Sequence, residues 1–335
     1  MEEPVLSESI KPTQIFLKKL DILKKHKKLI LSLLKIAIFI AFLYFILTKI
    51  DFNRLINSLK SVNIYLVAAA SFLMFVNIFL QYKKWKIICK SFGFDETRQT
   101  ILYSLLYGFT AGIFTPARVG EYLGRKLMLK NKSIVKITSA TLLDKLFPLF
   151  TLLILGFPVF IYFLKYLNYI NAFVFLIFLF SFLILVFAAV LFLSKRKIAN
   201  TSYLNKVINF FTRGRYNIEM LEGINKNVIL KITFISVLFF TCYIAQFALL
   251  FSAFSLNVNF VLCSIVACIV MFSKSFIPQI SIGDLGIREG AAVFFFTKIG
   301  GTAEAALNAS LFLFILNLFL PSLMGFIISY KKVNE

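Results

Sequence analysis

Two short polar stretches join an arginine and a glutamate to residues that break helices: Thr115-Pro116-Ala117-Arg118-Val119-Gly120-Glu121 and Gly283-Asp284-Leu285-Gly286-Ile287-Arg288-Glu289. A guanidinium is a planar fork of donors that stays charged in a partly dry site, which suits it to hold a phosphate through two parallel hydrogen bonds. A helix that begins after Pro116 or Gly286 adds free backbone N–H groups to the same anion. Pro116, Gly120, Pro278, Gly283 and Gly286 are the expected turn and hinge positions. Glu121 follows Arg118 by about one helical turn, so the two are expected to pair when no cargo is bound. Arg288 and Glu289 are neighbours and are expected to point apart, toward different partners. Asp144 is expected either to pair with the adjacent Lys145 or to balance Arg118 across the bundle. Arg118, Glu121, Arg288, Glu289 and Asp144 thus form the candidate binding set, with Arg118 and Arg288 expected to hold one anionic headgroup between them.

Other chemistries have little to work with. The single histidine, His26, lies in the run Lys24-Lys25-His26-Lys27-Lys28, which leaves no histidine-based metal set and no Ser/His triad. Cys89, Cys242, Cys263 and Cys268 form no CxxC pair and read as small apolar fillers. No GxxxxGK[ST] motif is present, so ATP is not expected as the direct energy source, and no cofactor or metal is expected.

These segments are embedded in an oily chain. Of its 335 residues 60% are hydrophobic and 42 are phenylalanine, and the mean hydropathy is +0.87. No soluble domain of that size hides so much apolar surface, so the fold class is an all-α integral membrane protein, a polytopic helical bundle. The net charge of +22 then reflects cytoplasmic loops that meet anionic lipid, and nucleic acid is not an expected partner.

The spans follow from the apolar runs, and their direction from the positive-inside rule. A basic segment, 1–28, precedes a first span at Leu29–Leu47 and places the N-terminus in the cytoplasm. Tyr65–Leu80 returns the chain to Lys83, Lys84, Lys86 and Lys90, with Trp85 expected at headgroup level. Ile101–Phe114 would reach only about 21 Å as a helix, short of the ~30 Å hydrocarbon core. A re-entrant hairpin turning at Thr115–Gly120 keeps both flanking basic clusters inside. Ile137–Phe160 and Ala172–Leu193 cross next, followed by a basic loop at 194–231, and Val228–Phe254 crosses outward. Over residues 261–299 the charge rule leaves two alternatives, a second re-entrant hairpin or two short spans. Ala303–Ser329 crosses inward to a cytoplasmic tail at 331–335. The inventory is about six full spans and two broken elements in a membrane domain at 29–330, with both termini cytoplasmic in the inner cell membrane. Two hairpins entering from opposite faces would form an inverted repeat meeting near the midplane, the arrangement used by transporters. Asn77, Gln81, Gln246 and Asn317 lie within spans and are expected to tie helices together.

The two Arg/Glu stretches, together with Tyr82-Lys83-Lys84-Trp85-Lys86 and Leu142-Leu143-Asp144-Lys145-Leu146, resemble the successive signatures of the flippase-like membrane domain. That family includes the membrane half of bacterial lysylphosphatidylglycerol synthases. Alanine and aspartate stand at 117 and 284 where the family usually has glycine, and Ile282 stands in place of a proline. The resemblance implies movement of an amphipathic lipid between leaflets, with Arg118, Glu121, Arg288 and Glu289 at motif positions. It implies no aminoacyl transfer, because the soluble transferase half is not among these residues. The expected function is a lipid translocase for a phosphate-bearing or modified lipid. The alternative is a membrane subunit or enzyme of polyprenyl-phosphate or glycolipid modification. The expected partners are a lipid with an anionic headgroup and, in the alternative, a separate lipid-modifying transferase.

Overall fold

The computed structural model describes residues 52–113, 115, 118–195, 226–277 and 286–334, all of them helical or in short connections. They belong to one compact unit, Ile50–Glu335. The expected first span at Leu29–Leu47, Pro116, Pro278, Gly283 and most of the basic loop lie outside the described residues. The helices are α1 (Phe52–Lys60), α2 (Ile64–Ser91), α3 (Arg98–Ile113), α4 (Gly120–Met128), α5 (Ile134–Tyr166), α6 (Ala172–Lys195), α7 (Lys226–Phe254), α8 (Phe260–Ser275), α9 (Ile287–Thr297), α10 (Ala303–Phe314) and α11 (Leu320–Asn334). A π-helical turn, Ile315–Phe319, makes α10 and α11 one continuous rod.

Among the described residues four helices are long and apolar enough to cross a membrane: Ile64–Ser91, Ile134–Tyr166, Lys226–Phe254 and Ala303–Ile328. Shorter apolar helices occupy Ala172–Ile184 and Phe260–Ser275. Their outward faces are lined by exposed Phe72, Phe75, Phe150, Phe173, Phe180 and Phe234, which lipid solvates and water does not. The protein is an all-α, multi-pass integral membrane bundle. Side-chain caps set several helix starts where the run itself is uniformly apolar. Asn63 accepts from the N–H groups of Tyr65 and Leu66, Asn259 from Val261, and Thr302 from Ala305.

Two pairs of short helices stand out. In the first, α3 has 16 residues and α4 has 9, or about 24 and 13 Å at ~1.5 Å per residue, and they pack closely on each other. In the second, α8 and α9 have 16 and 11 residues and are likewise in contact. Each pair is preceded by a long helix, α2 of 28 residues or α7 of 29, and followed by another, α5 or α10–α11.

The correspondence extends to single residues. Gly156 follows Ile134 by as many residues as Gly325 follows Ala303, and each brings its helix against the short helix of the other set. A Cβ on Gly156 would strike the Phe272 ring of α8, and one on Gly325 would strike Leu106 and Thr110 of α3. Phe272 and Thr110 are in turn equally far into α8 and α3. Likewise Lys84 stands as far into α2 as Gln246 does into α7. Lys84 reaches Phe239, 5.8 Å from the ring centre, while Gln246 reaches Asn77, the residue of α2 equivalent to Phe239.

α2 and α7 form the most extensive helix contact, and they run antiparallel. Asn63 donates its N–H to the Ala253 carbonyl at 3.0 Å, and Gln246 Nε2 donates to the Ala70 carbonyl at 2.9 Å. At mid-helix, Asn77 Nδ2 and Asn317 Nδ2 both donate to Gln246 Oε1, at 2.8 and 2.7 Å. Asn317 sits within the π-helical turn, so this polar trio joins α2, α7 and the last rod where no water competes.

Candidate functional site

Helix α4 has its polarity reversed. Glu121 and Arg125 face the protein and are buried, whereas Val119, Leu123 and Leu127 are 55–56% exposed on the opposite face. A helix at a water-facing surface buries its apolar stripe, so α4 presents this face to lipid. Its glycines allow the approach that seats the charged face. A Cβ on Gly120 would collide with the Ala111 carbonyl of α3, and one on Gly124 with that of Tyr107. From the other side Gly108 and Gly112 lie against the Arg125, Glu121 and Arg118 side chains. Thr115 closes the turn by accepting the Gly120 N–H at 2.7 Å through its hydroxyl, which also donates to the Ala111 and Gly112 carbonyls.

The buried face of α4 is the centre of a six-residue charge network. Arg125 Nη2 donates to Glu121 Oε1 at 2.6 Å and to Asp144 Oδ2 at 2.8 Å. Lys84 reaches Asp144 from α2, with Nζ 3.0 Å from Oδ1 and donating to the Asp144 carbonyl at 2.7 Å. Lys145 Nζ donates to Glu121 Oε2 at 2.6 Å, and Arg118 Nη2 stands 3.6 Å from the same oxygen. Beneath Arg125 lies Trp85, its ring centre 4.0 Å from the guanidinium carbon and its Nε1–H donated to Ser104 at 2.8 Å.

Several expectations change here. Asp144 pairs neither with Lys145 nor with Arg118. Successive residues of a helix diverge by about 100°, so Asp144 faces Lys84 and Arg125 while Lys145 faces Glu121. Trp85 does not sit at headgroup level but is fully buried, with the Arg125 guanidinium stacked on its ring and its N–H donated to Ser104. Lys84 is likewise drawn out of the basic surface cluster into the core. Arg125, Lys84 and Lys145 were absent from the candidate set. Glu121 and Arg125 are spaced i,i+4, and Gly108/Gly112 with Gly120/Gly124 form two GxxxG pairs, which are readable signals of a close, charge-lined helix pair.

Arg118 differs from the rest of the network. Its backbone is left-handed, φ +53°, a region costly for a side chain with a Cβ. Its contact to Glu121 is the longest of the ion pairs here, its side chain is 22% exposed, and its Nε is buried without a hydrogen-bond partner among the described residues. Arg125 Nε and Nη1 also lack partners there.

In the second stretch the described residues form a tight Arg288–Glu289 pair. Gly286, at φ +100°, precedes α9 and donates its N–H to Glu289 Oε2 at 2.7 Å. Arg288 does not point away from Glu289: its Nη2 donates to Glu289 Oε1 at 2.7 Å, and its Nε donates to Ser310 Oγ at 3.0 Å. Both side chains fold over the first turn toward α10, where Ser310 also donates to Glu289. Phe296 of α9 stacks on Phe251 of α7 at 4.5 Å and anchors the helix. Arg118 and Arg288 thus belong to two groups of contacts, one on α2, α4 and α5 and the other on α9 and α10.

Among the described residues no group of His, Cys, Asp and Glu is arranged to hold a metal ion. An open cleft of about 580 Å³ lies between the start of α3 and the end of α4, lined by Glu96, Thr100 and Tyr107 with Leu127, Met128 and Lys130.

A comparison with curated proteins gives no match. A protein-family model does match, over residues 32–325, a range that includes α1 to α10, the start of α11 and every charged group just described. It describes the transmembrane region of lysylphosphatidylglycerol synthase, a membrane module distinct from the half that transfers the aminoacyl group. By that match over most of its length, the chain belongs to the lysylphosphatidylglycerol synthase transmembrane-region family.

Proposed function

We propose that this protein is a lipid translocase that carries an anionic headgroup between leaflets, with the α4 charge network as its principal contact. The observation that carries this reading is the reversed polarity of α4. Its apolar face meets lipid while Glu121 and Arg125 line the protein side, next to the partly exposed Arg118 and Lys145. Charges within the hydrocarbon cost several kcal/mol each unless paired or serving a polar path, so four cations around two carboxylates mark a place for passing polar cargo.

In this reading α3–α4 and α8–α9 are re-entrant hairpins, each too short to span, and the two four-helix sets are inverted repeats. The antiparallel α2 and α7 and the exchanged glycine contacts of Gly156 and Gly325 support the inversion. Gly120 and Gly286, at the starts of α4 and α9, are the described turn residues on which the hairpins pivot. Arg118, Glu121 and Asp144 serve one side, and Arg288 and Glu289 the other. Cargo crosses by passing from one hairpin to the other, with termini and basic loops in the cytoplasm. Arg288, already neutralised by Glu289, binds an anion less tightly than Arg118, which would let the cargo leave.

The test is a leaflet-resolved assay in proteoliposomes. A fluorescent anionic lipid placed in both leaflets becomes accessible to an impermeant reductant only as it reaches the outer one. Protein should accelerate that exposure, and Arg118→Gln should slow it by about tenfold while the protein stays folded, the loss of one charge-assisted hydrogen bond. Equal rates in empty and protein-loaded vesicles would refute translocation. A turnover product from lipid and donor that required Arg118 would favour the modifying-enzyme alternative.

A further inference from the structure

The charge network divides into two parts with different burial. Lys84, Asp144, Arg125 and Glu121 form a chain of alternating sign whose side chains are 9% exposed or less, and its two cations and two carboxylates cancel. Arg118 and Lys145 are left over. They are also the most exposed members, at 22% and 33%, and both reach the same oxygen, Glu121 Oε2. That one oxygen, whose carboxylate is already committed to Arg125, cannot neutralise two further cations. The Nε of Arg118 and the Nε and Nη1 of the almost fully buried Arg125 add donors that have no partner among the described residues.

We propose that this site selects a headgroup carrying two negative charges on one phosphorus, a phosphomonoester, over the singly charged phosphodiester of ordinary anionic lipids, a proposal that rests on the lipid-translocase reading. The reason is charge matching in a medium of low dielectric, where an uncompensated charge of either sign is costly. A dianion placed between Arg118 and Lys145 brings the six-residue network to neutrality, a monoanion leaves one positive charge, and a cationic aminoacyl headgroup adds to the surplus. Arg118 supplies the fork and Lys145 a point charge, while Glu121 keeps Arg125 as its partner and need not move.

The protein carries its own reporter, since its only tryptophan, Trp85, lies under Arg125 in this network. The full-length protein in detergent micelles is titrated at pH 8 with short-chain phosphatidate, phosphatidylglycerol, phosphatidylcholine and inorganic phosphate. Trp85 emission and calorimetry are read in parallel, so that a silent fluorophore does not mask binding. Phosphatidate should bind at least about tenfold more tightly than phosphatidylglycerol. That preference should collapse at pH 5, where a phosphomonoester, with its second pKa near ~6, carries a single charge. Lys145→Gln and Arg118→Gln should each reduce the preference by about tenfold with an unchanged melting profile. Equal affinity for phosphatidate and phosphatidylglycerol at pH 8 would overturn the dianion assignment and leave the translocase reading standing. Inorganic phosphate binding as tightly as phosphatidate would keep the dianion site but sink the lipid reading. No heat and no emission change with any of the four would remove both.

Discussion

Replacing Arg118 by glycine separates a residue that holds cargo from one that holds the fold. The left-handed backbone at φ +53° costs an arginine roughly 1–2 kcal/mol, which glycine does not pay. Against this, glycine loosens the unfolded chain by about 0.5–1 kcal/mol. The ion pair given up is 3.6 Å long and partly exposed, worth about 0–1 kcal/mol. Glu121 is not stranded, because Arg125 and Lys145 each remain at 2.6 Å. The sum lies within about 1 kcal/mol of zero, so the melting temperature should move by no more than roughly 3 °C. Lipid translocation loses a charge-assisted hydrogen bond worth about 1.5–3 kcal/mol and should fall tenfold or more. Both quantities come from one preparation: the melt followed by Trp85 emission in detergent, the rate after reconstitution into vesicles. A melting temperature lowered by more than about 8 °C, with translocation reduced only in proportion to the folded fraction, would show that Arg118 is a structural residue.

Glu121→Gln should be far more damaging, about 3–5 kcal/mol, because it leaves Arg125, Lys145 and Arg118 around a neutral amide. Adding Lys145→Met should recover part of the loss, and strict additivity of the two in thermal melts would contradict the network. Gly124→Leu should split α4 from α3, since even a Cβ there meets the Tyr107 carbonyl; size-exclusion chromatography should show loss of the monodisperse peak. Gln246→Leu and Asn77→Leu should each cost about 0.6–2 kcal/mol and the pair less than the sum, as a double-mutant cycle can read. With the four native cysteines replaced, Lys130→Cys should resist an impermeant thiol reagent added to intact cells, and labelling there would replace the first hairpin by a full crossing.

Hydropathy made the membrane class and the four long helices readable, because a bilayer demands nearly the same apolar run from every span. The pairing of short helices was readable for the first set, where Ile101–Phe114 is visibly too short and Pro116 ends it. For the second set loop charge leaves the choice open; the structure adds that α8 and α9 pack on each other and that Gly156 against Phe272 and Gly325 against Thr110 are matched in position, each glycine followed by a phenylalanine. Arg118, Glu121 and Asp144 announced themselves as charges beside helix breakers or inside a span. Lys84 and Trp85 did not, because a lysine-rich helix end with a tryptophan is also the ordinary composition of a membrane boundary. Only the position of α4 decides which lysine turns inward. Arg288 and Glu289 were misread for a different reason: adjacent side chains diverge at their Cβ atoms, but both are long enough to converge again on Ser310.

The reversed polarity of α4 also constrains how the protein is made. As the chain leaves the ribosome, α4 emerges before α5, and of its final partners Glu121 has only Arg118 and Arg125, while Arg125 has only Glu121. Lys145 and Asp144 have not yet been synthesised, and Lys84 waits on α2 for a carboxylate. A nine-residue helix with so charged a face has no reason to partition into the bilayer alone. Insertion of this segment is therefore expected to follow the threading of α5: a truncated nascent chain ending before Asp144 should leave α4 accessible to protease from the side on which it was delivered.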